Sequence, residues 1–493
     1  MSPIIILSSV IAYSALLFYV VWRTSRNADN ETYFIGNKSS KWYLVAYGMI
    51  GASLSGVTFM SVPGLVGINN FSYLILVFGY FFGYAVIALV LLPLYYKMNL
   101  TSIYTYLEER LGFWSYKTGA FYFLLSRTIG ASFRLYIVVN VLQIFIFDEW
   151  GVPFWVTVLL FIILILLYTY KGGVKTIVWT DTLQTTFMLI AVAFSVYAIS
   201  DSLNMGISSL FKAIHEKGYD TMINNDWHSK SYFLKQFFGG MFISIAMTGL
   251  DQEMMQKNIS VRTLRDSQKN MFSFSVILIF INFLFLCLGA LLYLYSSANG
   301  LTLPVKSDDL FPIIAINHLG GLVAIIFIIG LISAAYPSAD GALTALTSSF
   351  CIDFLNFKKS SESESKKRKT RYIVHVSFAA VLLGVIILFK IINDDAVISK
   401  LFTVAGYTYG PLLGLFGFGI LTRRKVKDRF VPIVCLLSPF LCYLLNENSV
   451  NWFSNYKFGF ELLILNGMIT FLGLYIISKK ELITNPNFST PKN

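Results

Sequence analysis

The sequence predicts an all-α polytopic membrane protein of about 13 transmembrane helices, ten of them forming a five-plus-five inverted repeat. Three observations predict it. Hydrophobic residues fill 56% of the 493 positions and charged residues only 13%, against roughly a quarter charged in soluble domains. Apolar stretches near the ~20 residues of a bilayer span recur along the whole chain. Two of those stretches are interrupted by Gly and Ser at matching places, the pattern of discontinuous helices around a midplane site.

The expected spans lie near 3–22, 42–69, 72–96, 117–146, 152–170, 176–200, 236–256, 270–296, 312–356, 372–392, 397–421, 431–447 and 458–478. The first lacks a basic n-region and a small-residue cleavage site, so it reads as a retained helix rather than a signal peptide. The second contains Gly48-Met-Ile-Gly-Ala-Ser-Leu-Ser-Gly-Val-Thr-Phe59 and ends at Pro63-Gly64; the seventh contains Phe238-Gly239-Gly240-Met and ends at Gly249-Leu-Asp251. Each opens a block of five helices, and an odd number inverts the second copy. Small residues also let membrane helices pack closely, but their matched positions favour functional breaks. The 312–356 stretch is long enough to project beyond the bilayer as one helix.

The units are then an extra N-terminal helix and inside loop (1–41), a first repeat (42–200), an outside loop (201–235), a second repeat (236–421), two C-terminal helices (422–478) and an inside tail (479–493). The run at 360–370 is low in complexity and reads as a flexible inside loop.

The net charge of +12 does not point to nucleic acid, because the basic residues follow topology rather than a recognition fold. Arg23 and Arg26, Lys171 and Lys175, Arg262 and Arg265, Lys358 through Arg371, and Arg423 through Arg429 all fall in loops on one side. The positive-inside rule places the N-terminus outside and the C-terminus in the cytoplasm, with Lys366-Lys-Arg-Lys369 as a topology determinant or anionic-lipid contact. Cys287, Cys351, Cys435 and Cys442, and His215, His228, His318 and His375, lack metal-ligand spacing. No nucleophile–base pair or phosphate loop appears, so an enzyme is not expected.

Candidate chemistry sits at the breaks and at buried ionisable residues. A broken helix leaves carbonyls free to ligate a dehydrated cation, and hard cations prefer oxygen. The carbonyls of Gly51 and Leu54 and the hydroxyl of Ser55 suit that role. Asp340, in Ser333-Ala-Ala-Tyr-Pro-Ser-Ala-Asp340-Gly-Ala-Leu-Thr344, is ionisable at membrane depth and reads as a cation-handling residue. Ala334, Pro337, Ser338 and Gly341 share one helical face. Pro337 frees the Ser333 carbonyl for a cation or water, or simply kinks the helix. Arg134 lies deep in a span and needs either a substrate anion or a buried carboxylate; Arg127 is expected at the interface. Asp251 and Glu253 read as gate or structural residues. Tyr407 and Tyr409 read as packing residues or an outer gate.

Thr101-Ser-Ile-Tyr-Thr-Tyr-Leu-Glu-Glu-Arg-Leu111, Gly172-Gly-Val-Lys-Thr-Ile-Val-Trp-Thr-Asp-Thr-Leu-Gln184 and Gly249-Leu-Asp-Gln-Glu-Met-Met-Gln-Lys257 make the chain resemble the sodium/solute symporter family over nearly its whole length, most closely its bacterial sialic-acid type. The resemblance implies a LeuT-like core of ten helices with one before and two after. It also implies a first Na⁺ site at Gly51, Leu54, Ala334, Pro337 and Ser338, although the family generally has a hydroxyl residue where this chain has Pro337. A second Na⁺ site would use Asp181 and Asp340 beside Pro337 and Gly341, and two carboxylates sharing one ion make a proton a competitor. Taken alone, Asp181 would read as an interfacial residue ending a loop. By the same resemblance Arg134 holds a substrate carboxylate, assisted by Ser53, Ser55 and Thr58.

The expected activity is Na⁺-coupled symport of a small organic solute across a bacterial plasma membrane by alternating access, by a protein that works as a monomer among membrane lipids. A carboxylated sugar such as sialic acid leads. A neutral sugar, an amino acid, another organic anion, or a transporter-like solute sensor are the alternatives, and a channel fits the broken helices less well.

Overall fold

The computed structural model describes residues 3–24, 40–357, 360–392 and 397–480, without the side chains of 3, 24, 170–175, 392 and 399. Arg26, Lys358, the side chains of Lys171 and Lys175, and the tail from 481 onward lie outside the described residues. Among the described residues nine helices are long and apolar enough to cross a bilayer, and a tenth span forms from Phe233–Gly249 with Gln252–Ile259, bent by 66°. Phe154–Thr169 and Leu462–Ile476 are shorter apolar helices. Ten differs from the expected thirteen because residues 56–97 form one run where two spans were expected and because Phe154–Thr169 and Leu462–Ile476 fall below spanning length. Isoleucines, leucines and phenylalanines remain exposed along the outer helices, as expected where the solvent is lipid.

The chain opens with α1 (Pro3–Thr24), then α2 (Trp42–Ser53) and α3 (Gly56–Asn69), the two halves of the first broken span. The break falls at Leu54 (ψ 77°) and Ser55 (φ −75°, ψ 177°), where both residues leave helical geometry. Then come α4 (Tyr73–Val86), α5 (Phe113–Leu142) and α6 (Phe154–Ser202). The α6 stretch comprises two apolar segments, Phe154–Thr169 and Thr176–Ser202, and their neighbours show that the chain doubles back between them, as two expected spans require. Phe161 and Tyr168 lie against Tyr336, with ring centroids 6.4 and 5.7 Å away, and Thr169 contacts His375, which also contacts Thr347. Further on, Asp181 acts electrostatically on Asp340 while Ala191 packs against Gly330. Residues 161–169 and 181–191 therefore run in opposite directions along the same helix.

The second half contains α7 (Phe233–Ser244), α8 (Gln252–Ile259) and α9 (Leu264–Ala298). The second break lies at Leu250–Asp251. Asp251 caps α8, its carboxylate accepting from the N–H groups of Glu253 (2.9 Å) and Met254 (3.3 Å). Gly239-Gly240, expected within this break, is instead continuous helix. A Cβ at Gly240 would lie 2.1 Å from the Leu76 carbonyl oxygen, and one at Gly79 would lie 2.1 Å from that of Phe237, so these glycines let α4 and α7 touch backbone to backbone.

The expected single helix at 312–356 is divided into α10 (Leu310–Asn317) and α11 (Gly321–Ser349). Gly320 between them has φ 88°, a left-handed conformation that glycine adopts without penalty. α11 passes through Pro337 without ending and is buried from Gly330 to Ser349. It packs on α6, α5, α2 and α3 at the centre of the bundle. The chain then continues through α12 (Glu364–Ile392), α13 (Val397–Leu421), α14 (Val431–Glu447) and α15 (Leu462–Ile476). Asn466 ties α15 to α13 by donating to the carbonyls of Gly406 and Tyr407, both at 2.9 Å.

Gly240→Val is expected to destabilise the detergent-solubilised protein by about 1–3 kcal/mol through overpacking against backbone that cannot yield. Gly206→Val, with nothing within 4 Å of its Cβ position, should leave the thermal midpoint unchanged. Equal midpoints for the two variants would remove the close α4–α7 contact.

Candidate functional site

The first break makes the site. Ile50 accepts the last helical hydrogen bond of α2, from Leu54 N at 2.7 Å, and Ser55 begins the ladder of α3 by accepting from Phe59 N at 3.0 Å. The carbonyls at the end of α2 therefore have no helical N–H ahead of them. They are held against α6, where a Cβ at Gly51 would lie 2.3 Å from Thr185 Oγ1 and one at Gly48 would lie 3.1 Å from Asp181 Cβ.

On one face of the break lies a cavity of about 80 Å³. Ser53, Ser55, Thr58 and Arg134 all line it, so the four residues expected to bind substrate come together in one place. Tyr80, Arg127 and Asn282 join them. Arg134 is 8% exposed, its Nε has no hydrogen-bond partner, and it enters none of the ion pairs formed by the described residues. A buried guanidinium without a carboxylate is costly unless an anion arrives. Among the described residues no carboxylate lies within ion-pair distance of Arg134.

The other face of the break looks toward α11. Ser338 is fully buried, and its hydroxyl, like those of Ser333 and Thr344, has no hydrogen-bond partner among the described residues. Further along, Thr347 and Ser348 are satisfied by the carbonyls of Leu343 (2.6 Å) and Thr344 (2.7 Å). An unsatisfied buried polar group costs about 1–3 kcal/mol, and a cation drawn to oxygen would relieve it. The donor set of the first expected Na⁺ site, with Gly51, Leu54, Ala334, Pro337 and Ser338, fits that chemistry with one hydroxyl fewer at Pro337.

The second expected site is arranged differently from the sequence reading. Asp181 is fully buried, but its Oδ2 already accepts from Lys257 Nζ at 2.7 Å. Lys257 reaches Glu253 Oε1 at 3.3 Å; Glu253 Oε2 is paired with Arg127, which also lies 3.8 Å from Asp251 Oδ2. Tyr409 donates to Asp251 Oδ2 at 2.7 Å. Asp340 accepts from Tyr168 OH at 2.9 Å through Oδ2 and from Gly341 N at 2.5 Å through Oδ1. Four carboxylates and two fixed cations thus meet next to the cavity, whose lining includes Arg127, on α5, α6, α8, α11 and the break before α8.

Two expectations change. Arg127, placed at the interface from its sequence position, is 3% exposed and holds this cluster, because α8 brings Glu253 to it. Tyr409, treated as packing or an outer gate, is tied to the cap of α8. Lys257 escaped notice as a site residue, although its position four residues after Glu253, just past a break, was the available signal.

The sodium:solute symporter family model matches residues 33–427. The chain is 24% identical over 442 residues to the sodium/sialic acid symporter SiaT of Proteus mirabilis, covering 86% of this chain and 87% of the relative. It is 24% identical over 416 residues to the sodium-coupled monocarboxylate transporter 1 of Mus musculus, covering 83% and 67%. Its fold matches that of a Na⁺-coupled sialic acid symporter solved in a substrate-bound outward-open state, with a TM-score of 0.82 at 21% identity over 97% of this chain and 99% of the other.

Arg127→Met leaves Glu253 with Lys257 alone and should lower stability by about 3–5 kcal/mol, the usual result of removing one partner of a buried pair. Arg127→Met combined with Glu253→Gln should recover most of that loss. A double variant no more stable than the single one would show that the two side chains are not energetically paired.

Proposed function

This chain belongs to the sodium:solute symporter family, and from that membership we propose that it imports an anionic solute, a carboxylated sugar of the sialic acid class, down a Na⁺ gradient by alternating access. One observation carries the anionic substrate: the Arg134 guanidinium, buried and unpaired, opens into the cavity with the hydroxyls of Ser53, Ser55 and Thr58. Guanidinium binds carboxylate through two parallel, charge-assisted hydrogen bonds, while hydroxyls suit the polar remainder of a sugar acid.

Coupling follows from the break. Ala52, Ser53, Leu54 and Ser55 line the cavity, while the carbonyls of Gly51 and Leu54 would serve the ion, so one short element would serve both ion and solute. Na⁺ bound at Gly51, Leu54, Ala334, Pro337 and Ser338 would hold the two half-helices at the angle that presents Ser53 and Ser55. By linkage the solute then tightens Na⁺ binding by the same factor. Release to the cytoplasm would require the cluster of Arg127, Glu253, Lys257 and Asp181, which adjoins the cavity through Arg127, to part. An outside N-terminus, a cytoplasmic C-terminus and a LeuT-like pair of inverted repeats complete the proposal. Asp340, bound by Tyr168, would sense the charge of this cluster from the α11 side.

A second reading has its own support. A cavity of about 80 Å³ is well below the ~300 Å³ of pockets that enclose drug-sized ligands, so a short monocarboxylate would need less opening than a nine-carbon sugar acid. Both readings use Arg134 in the same way. Thermal-shift screening of sialic acids and short monocarboxylates, each in Na⁺ and in K⁺, separates them. Counterflow of the stabilising solute in proteoliposomes separates a transporter from a sensor.

Arg134→Ala should reduce solute binding by two orders of magnitude or more while leaving the protein folded, and Arg134→Lys should restore little, because a point charge lacks the planar fork. Unchanged binding in Arg134→Ala would place the substrate elsewhere. Uptake should require an inward Na⁺ gradient, and Ser338→Ala should raise the Na⁺ concentration for half-maximal uptake several-fold. Equal uptake in K⁺ would refute sodium coupling.

A further inference from the structure

The position expected to hold a second Na⁺ already contains a positive charge. Lys257 Nζ lies 2.7 Å from Asp181 Oδ2 and 3.3 Å from Glu253 Oε1, and all three side chains are 3% exposed or less. We infer that the Lys257 ammonium is a tethered cation standing in for a second sodium ion, so that this chain couples solute movement to one Na⁺. The inference rests on the sodium-symport reading above.

The surroundings leave little room for another ion. Of the α11 residues expected at the second site, Pro337 and Gly341 carry no side-chain oxygen. A Cβ at Gly341 would lie 2.3 Å from Glu253 Oε1, so the Glu253 carboxylate fills the space beside that glycine. Glu253 is itself bound by Arg127 and Lys257. Both oxygens of Asp340 are engaged, by Tyr168 OH and Gly341 N. Asp181 Oδ1 is the one carboxylate oxygen of Asp181, Glu253 and Asp340 without a hydrogen-bond partner among the described residues. A hard cation needs a shell of several oxygens, and here it would also meet the like charge of the ammonium.

The tether matters to the cycle. A free ion is released on the far side, whereas Lys257 returns with the protein and carries no net charge across. With a monoanionic solute, one Na⁺ makes transport electroneutral, and two would move one positive charge per turnover. Lys257 also sits on α8, directly after the second break, and reaches Asp181 on the segment of α6 against which α2 is packed. It therefore links the two discontinuous helices in the way a bound ion would.

The test is a count of bound ²²Na⁺ on purified full-length protein at saturation, with the Na⁺ titration of thermal stability as a second readout. The wild type should bind about one Na⁺ per chain with a Hill coefficient near 1, Lys257→Arg about one, and Lys257→Gln about two with a steeper titration, because removing the ammonium opens a carboxylate-lined cation site. Two Na⁺ in the wild type, or a folded Lys257→Gln with the wild-type count, would overturn the tethered cation while leaving the symporter intact. No Na⁺ binding, with equal behaviour in K⁺, would instead remove the symporter reading. Should Lys257→Gln not fold, the wild-type count decides alone.

Discussion

The structure depends on a constraint of low-dielectric folding: inside a membrane every backbone polar group must find a partner. The break at Leu54–Ser55 violates this within the helix. It lies beside a polar cavity lined by Ser53, Ser55 and Thr58, where backbone groups outside a helix can be solvated. In the proposed mechanism the same exposed carbonyls, a liability in an ordinary span, would be ligands for a small hard cation. Solute and ion would then share one piece of backbone.

The second break obeys the same rule by a different route. Asp251 satisfies the opening N–H groups of α8 and is held in turn by Tyr409 and, at longer range, by Arg127. The negative charge at a helix N-terminus is favourable, so this carboxylate needs less neutralisation than its burial suggests. From there the cluster spreads through Glu253 and Lys257 to Asp181, joining α5, α6 and α8 by ion pairs. Breaking a buried pair costs several kcal/mol unless both partners find others. Such a cluster beside the cavity would be the element to which the proposed ion and solute binding is linked.

Much of this was legible in the sequence, for identifiable reasons. The spans follow from hydropathy, and the first break from a run of glycine and serine that no stable interior helix would favour. Arg134 stood out because a buried guanidinium must have a partner, and Ser53, Ser55 and Thr58 came with the family resemblance; all four line one cavity. What was illegible depended on partners distant in the chain. Arg127 looked interfacial because its mate, Glu253, lies 126 residues away. Asp181 and Asp340 looked like a pair around a cation because nothing local revealed that Lys257 reaches Asp181. Gly239-Gly240 carries the same residue signature whether glycine breaks a helix or lets two helices touch, and only the packing partner distinguishes them. The division of the 312–356 stretch rested on one left-handed glycine, Gly320, which hydropathy passes over.

The central claim, that ion and solute are coupled through residues 51–55, is tested most directly by reciprocity. Calorimetric titration of the stabilising solute across a series of Na⁺ concentrations, and of Na⁺ across a series of solute concentrations, gives two coupling factors. Thermodynamic linkage requires them to be equal, and the shared break predicts that both exceed one and shrink together in Ser338→Ala. Solute affinity that is the same in Na⁺ and K⁺ would contradict the account.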